Sequence, residues 1–266
     1  LTALSNVDIA ANITTSVDQN YVAGVTLTGP TTLTGNAATF SQGVTGNGQD
    51  LTLNFAATTA IGGSFAGLAN LTSLGEVDLG GTVNTTGFQN YAANATLTGT
   101  TTLEAGTDVS FGGLVDGGSA LTINSTGTTT FSGAVGSTGA LSSLTTDAGG
   151  STVLGGNVTT TGNQSFGDQV NLTTGVTLIS GAGTIDATAG VSGAGQNLTV
   201  GDANETGAAT FAGGITLGNL TTGAGDFDMT VTAFNPDKTT VTGVSEFLNN
   251  GTVSLLADGQ FQSFQG

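Results

Sequence analysis

A long, imperfect internal repeat constrains this chain more than any single residue does, because copies of one unit bury their apolar faces only by stacking on one another. Gln19-Asn20-Tyr21, Gln89-Asn90-Tyr91 and Gln164-Ser165-Phe166 open three copies, 70 and 75 residues apart. Six residues after each aromatic comes Leu27, Leu97 or Leu172, and six further on Leu33, Leu103 or Leu178. A second block places Val44, Leu114 and Val191 seven residues before Leu51, Leu121 and Leu198, with Leu53, Ile123 and Val200 two residues beyond these. A third begins at Ile61, Phe131 and Phe211, with Phe65, Val135 and Ile215 four residues on, then Leu71, Leu141 and Leu220. The copies are 19–88, 89–163 and 164–242, with partial copies at 1–18 and 243–266. In 1–18 the candidate inward residues are Leu4, Val7, Ile9 and Ile13, and the last partial copy starts at Gly243-Val244-Ser245-Glu246-Phe247.

Within a copy the apolar residues alternate over short spans, as in Val25-Thr26-Leu27 and Leu121-Thr122-Ile123. Period-two alternation over three to five residues is a strand with one buried face. Gly makes up 46 of the 266 residues and Lys238 is the sole basic side chain, a composition poor for helices and good for short strands joined by tight turns. Such strands also suit a sandwich or a barrel. The repeat favours a single all-β solenoid over 1–266, a parallel β-helix in which each copy winds three or four coils of roughly 18–25 residues. About ten to fourteen coils at about 4.8 Å each would make a rod on the order of 50–65 Å long. The Gln-x-aromatic landmarks then stand three or four coils apart.

The formal charge of −17 repels nucleic acid phosphate and anionic lipid, so neither is an expected partner. No Cys and no His are present, which removes disulfides and the usual transition-metal ligands. No apolar run reaches the length of a membrane span, so membrane insertion is not expected. The opening Leu1-Thr2-Ala3-Leu4-Ser5 resembles the mid-copy Gly139-Ala140-Leu141-Ser142-Ser143, and the chain reads as a piece of a longer array or a mature product cut from one.

The stretch TTTFSGAVGSTGALSSLTTDAGGSTVLGGNVTTTGNQSFGDQVNL, residues 128–172, resembles the repeats of large bacterial surface proteins of the filamentous-haemagglutinin type. The likeness is strongest over 114–235 and fades toward both ends. It implies a right-handed parallel β-helix, exported by a two-partner or autotransporter-type route to the cell surface, where such repeats act as stalk or fibre. It carries over no functional residue.

Candidate sites follow from the carboxylates. A glycoside hydrolase needs two carboxyl groups at a set separation. Asp226 and Asp228 share one face of a strand, with Phe227 and Met229 pointing the other way, and Glu76 and Asp78 flank Val77 in the same manner. The competing reading is a solvated acidic face. A lyase would need cations, and only Lys238 is on offer. Tyr21 and Tyr91 read as core rather than sugar platforms, because Phe166 and Phe247 replace them in other copies. No cofactor is expected; calcium is the one ion with ligands to hand, at Asp226 and Asp228 or at Asp202 and Glu205. Thr100–Thr102 and Thr128–Thr130 suggest flat threonine arrays, which β-propensity and solubility also explain. The Asn-x-Thr triplets at Asn12, Asn84, Asn157 and Asn171 are expected by chance. Open strand edges template association, and Phe261 and Phe264 in the uncharged C-terminal stretch are candidates for self-association, head to tail, into filaments. The expectation is therefore a secreted, non-catalytic structural or adhesive protein, an extracellular stalk or fibre subunit, with a host-cell, matrix or glycan receptor that the sequence does not specify. The alternative is a β-helical glycoside hydrolase.

Overall fold

The computed structural model describes residues 1–232, 240–257 and 260–265, with side chains for 1–232 and 240–255. The chain divides into two compact units, Leu1–Thr129 and Thr130–Gly266. Each is a parallel β-solenoid, and the coils wind right-handed, the sense that right-twisted parallel strands favour.

In the first unit each coil lays down three short strands, one on each of three faces. Face I stacks Thr2–Ala3, Gln19–Tyr21, Ala38–Phe40, Thr59–Ile61, the start of Val77–Thr85 and the start of Ala95–Ala105. Face II stacks Val7–Ile9, Val25–Leu27, Gly43–Thr45, Ser64–Leu68, the ends of those same two long strands, and Ala120–Ser125. Face III stacks Ile13–Thr14, Thr31–Gly35, Leu51–Phe55, Leu71–Ser73, Gln89–Tyr91 and Val109–Phe111. Val77–Thr85 turns the corner from face I to face II without a break. Its register slips between Leu79 and Gly81, and Gly81 has a φ of 98°, which only glycine adopts without strain.

The second unit repeats this plan. Face IV stacks Ser143–Thr146, Gln164–Phe166, Ile185–Ala187, Ala209–Phe211, Met229–Thr232 and Thr252–Ala257. Face V begins with Ser151–Leu154 and Gln169–Leu172, and face VI with Val158–Thr159 and Val176–Ile179; Val191–Val200 and Ile215–Thr222 each cross from V to VI. Thr240–Val241 and Ser245–Glu246 follow on faces V and VI.

Coil length is read from the register. Thr59 lies opposite Val77, 18 residues on; Leu51 opposite Leu71, 20 on; Ile185 opposite Ala209, 24 on. These fall inside the expected 18–25. The landmarks, however, do not return to one face. From Gln19 on face I the chain takes eleven face-steps to Gln89 on face III. From Gln164 on face IV it takes eleven to Ser245 on face VI. One copy is thus three and two-thirds coils, and in each unit the next copy begins one face back.

The landmark apolar residues line the interior. Leu27, Leu33, Leu53, Phe65, Leu71, Leu103, Leu121 and Ile123 are buried in the first unit, and Leu141, Phe166, Leu178, Leu198, Phe211 and Leu220 in the second. Tyr21 stacks on Phe40 at 4.9 Å, Phe40 meets Phe65 edge-on at 5.1 Å, and Tyr91 stacks on Phe111 at 5.0 Å. Two inward expectations are corrected. Leu4 sits in the corner between Thr2–Ala3 and Val7–Ile9 and is 78 % exposed. Leu114 is only half-buried, because the inward place on that face belongs to Val115. Gln260–Gln265 pairs antiparallel with Thr252–Ala257 and occupies the free edge of face IV.

Candidate functional site

The polar side chains turn out to be placed chiefly at corners. Gln19, Gln89 and Gln164 are all buried, against the habit of glutamine. Each Nε2 donates within its own coil to a carbonyl six residues back and to a threonine hydroxyl four back, and across to a carbonyl of the next coil. For Gln89 these are Val83 O at 3.0 Å, Thr85 Oγ1 at 3.4 Å and Glu104 O at 2.9 Å. Gln19 uses Ile13 O, Thr15 Oγ1 and Thr34 O; Gln164 uses Val158 O, Thr160 Oγ1 and Ile179 O. The tyrosine two residues on completes the set. Tyr21 donates to Gln19 Oε1 at 2.6 Å and Tyr91 to Gln89 Oε1 at 3.0 Å. Phe166 has no hydroxyl, and Gln164 Oε1 is left buried without a hydrogen bond.

A second corner device satisfies backbone N–H groups on the following coil. Asn12 Oδ1 accepts from Thr32 N at 2.8 Å, Asn70 from Phe88 N at 2.9 Å, Asn94 from Leu114 N at 2.9 Å and Asn157 from Thr177 N at 2.8 Å. Asp108 and Asp228 do the same for Thr128 N and Thr252 N, each at 2.7 Å. Two of the Asn-x-Thr asparagines, Asn12 and Asn157, therefore have a specific place. Asparagine recurring about one coil apart at strand entrances was the signal available in the sequence.

The carboxylates expected to form sites lie as follows. Asp226 and Asp228 are exposed on one side of the chain while Phe227 and Met229 are buried on the other. Asp78 is half-buried on the outside of face I, opposite Ala60 and Thr96, with Glu76 exposed beside it. Burial, then the charge of Glu76, push the Asp78 carboxyl above the usual range. Asp202 accepts from Asn204 N at 2.7 Å in a tight turn. Glu205 faces inward, fully buried, and takes hydrogen bonds from Ser180 and Gly181. Among the described residues no three His, Cys, Asp or Glu side chains group as a metal would need. The stretch with Pro236 and Lys238, which might wall a cleft, lies outside the described residues, as do the side chains of Phe261 and Phe264.

One open groove crosses face II of the first unit, lined by Asn6, Thr26, Gln42, Gly43, Thr45 and Ser64 over a floor of Val25 and Val44. Its lining carries neutral amides and hydroxyls and no carboxylate. Among the described residues no helix is long and apolar enough to cross a membrane. No protein-family model, no curated protein and no solved structure matches this chain.

Proposed function

We propose that this chain is a secreted structural or adhesive module of a bacterial surface, a β-helical stalk or extracellular fibre subunit that performs no catalysis. The observation that carries the reading is the use made of the polar side chains. The buried glutamines and the corner asparagines and aspartates hold one coil to the next, so side-chain chemistry is spent on stiffness. A stack of coils sharing one hydrogen-bonded lattice resists bending and holds a surface at a distance. The likeness of residues 128–172 to filamentous-haemagglutinin-type repeats supports export to the cell surface. Outward rows such as Thr32, Thr52 and Thr72, with the neutral groove on face II, offer hydroxyls and amides to a glycan or matrix receptor. Head-to-tail self-association belongs to the same reading, and on face IV it requires the strand Gln260–Gln265 to give way.

Negative-stain electron microscopy of the purified chain, with and without millimolar calcium, tests this. Elongated particles or filaments are expected; compact round particles in both conditions contradict a stalk or fibre. The glycoside hydrolase alternative has one observation in its favour, the raised Asp78 carboxyl beside Glu76. Release of reducing sugar from a polysaccharide panel, abolished by Asp78→Asn, would establish it in place of the non-catalytic reading.

A further inference from the structure

The second unit buries two carboxyl groups, Asp168 and Glu205, whereas no Asp or Glu of the first unit is buried. Glu205 is the more enclosed. Its aliphatic stem packs where a side chain at Gly201 would have to sit, the Phe227 ring borders the same space, and its carboxyl group meets the turn at Ser180–Gly183 on the preceding coil.

The hydrogen atoms at this contact can be counted. Ser180 Oγ lies 2.7 Å from Gly183 O and 2.5 Å from Glu205 Oε1. Each distance requires a hydrogen between the two oxygens. Ser180 is fully buried, and its hydroxyl supplies one hydrogen only. Gly183 O is a carbonyl and supplies none. The second hydrogen has one local source, Glu205 itself. Oε2 meanwhile accepts from Ser180 N at 2.9 Å and Gly181 N at 3.2 Å, which suits the carbonyl oxygen of a carboxylic acid with its two lone pairs. We propose that Glu205 is held in the fold as a neutral carboxylic acid, donating from Oε1 to Ser180 Oγ while Ser180 Oγ donates to Gly183 O, and that this relay is a proton-dependent lock between two coils of the second unit.

The surroundings agree. Asp202 lies on the glutamate's own loop, Asp186 on the preceding coil, and Asp226 and Asp228 on the coil that follows. All are acidic; Asp186 accepts from Thr184 Oγ1 and Asp228 from Thr252 N. The one basic side chain, Lys238, lies outside the described residues. Burial pushes the Glu205 carboxyl above the usual range and the Asp202 charge adds to this, while the hydrogen bonds from Ser180 and Gly181 oppose it. A carboxyl whose affinity for its proton is higher folded than unfolded stabilises the fold fully below its unfolded pKa, and that contribution disappears as pH rises through the folded value. Loss of the proton to solvent leaves Ser180 with one hydrogen for two oxygens, and the lock opens.

The test is urea unfolding of the full chain in molar salt, which screens the surface charge, from about pH 5 to about pH 8. The wild-type midpoint is expected to fall as pH rises. In Glu205→Gln the amide replaces the acid group for group, Nε2–H toward Ser180 Oγ and Oε1 toward the two backbone N–H groups. Its midpoint is expected to hold the wild-type acid value across the range, flattening the profile. A variant that fails to fold, or whose midpoint is lowered at every pH with the wild-type slope intact, overturns the proposal. A second readout does not depend on stability. The infrared spectrum of folded wild type at about pH 6, where exposed carboxyls are ionised, should contain a protonated-carboxyl band missing from Glu205→Gln; equal spectra overturn the assignment.

Discussion

Phe166 stands where two other copies have tyrosine, and that single missing oxygen gives the sharpest residue-scale prediction. Gln164 Oε1 is buried without a partner, a condition that costs about 1–3 kcal/mol. Phe166→Tyr should reproduce the Tyr21–Gln19 and Tyr91–Gln89 bonds and raise stability by about 1 kcal/mol, and Tyr91→Phe should lower it by about as much, both measured by urea unfolding. The tyrosines also report on alkali. Burial pushes Tyr21 up to about 12 and Tyr91 higher still. Their folded pKa values exceed the unfolded ones, so the stability they add is complete below about pH 10 and is lost as pH rises beyond it. With two Tyr and no Trp in the chain, tyrosinate absorbance should rise together with the loss of circular dichroism; ionisation well ahead of unfolding would contradict burial. At this scale the sequence was legible in part. The aromatic landmark identified Tyr21, Tyr91 and Phe166 as core. The inward turn of the adjoining glutamine was hidden, because glutamine is ordinarily a surface residue; the threonine four positions earlier, at Thr15, Thr85 and Thr160, was the mark of it.

The element here is the coil, and its edges are set by glycine as much as by strands. Gly207 passes so close to the coil before it that a Cβ would lie 1.5 Å from Gly183 O. Gly207→Ala should therefore destabilise by about 3 kcal/mol, seen as a lower urea midpoint. A larger change tests coil stacking itself. Excising 59–76 removes one complete turn, since Thr59 and Val77 occupy equivalent places. The strand from Val77 then inherits the partners of Thr59–Ile61, namely Ala38–Phe40. This shortened chain should fold and melt cooperatively. Excising 59–70 removes two faces of a coil, places every following strand against the wrong face, and should not. Circular dichroism melts distinguish the two. Coil length was readable in advance because Val-Thr-Leu-type triplets alternate with period two. The corner crossing by Val77–Thr85 was not, because Gly80-Gly81 reads as an ordinary turn until its register slip is seen.

For the whole molecule, the charge of −17 against one basic side chain sets the background. Self-repulsion of that size is screened by salt, so the melting temperature should rise on moving from low to molar sodium chloride, and a fall would mean that attractive ion pairs dominate. The larger question is how the copies are arranged. Sequence spacing displayed the copies and their landmarks, and it placed successive landmarks three or four coils apart. It did not display the face on which each copy begins, because a 70-residue period and coils of 18 to 24 residues share no simple divisor. In the structure each copy spans eleven faces and starts one face back from the last, in the first unit and in the second alike. A protein that repeats its sequence in this way presents each recurring surface feature on a new face, a property suited to a structural module and of no use to a single active site. The chain has no cysteine, so paired cysteines test the arrangement on a clean background. Thr52 and Thr72 are register partners on neighbouring coils of face III, within the separation that a disulfide spans. Asn20 and Asn90 hold the same place in two copies but lie on faces I and III. Thr52→Cys/Thr72→Cys should oxidise to an intramolecular disulfide in the native monomer, and Asn20→Cys/Asn90→Cys should stay reduced. The reverse pattern would contradict the three-faced, eleven-step solenoid on which the functional reading rests.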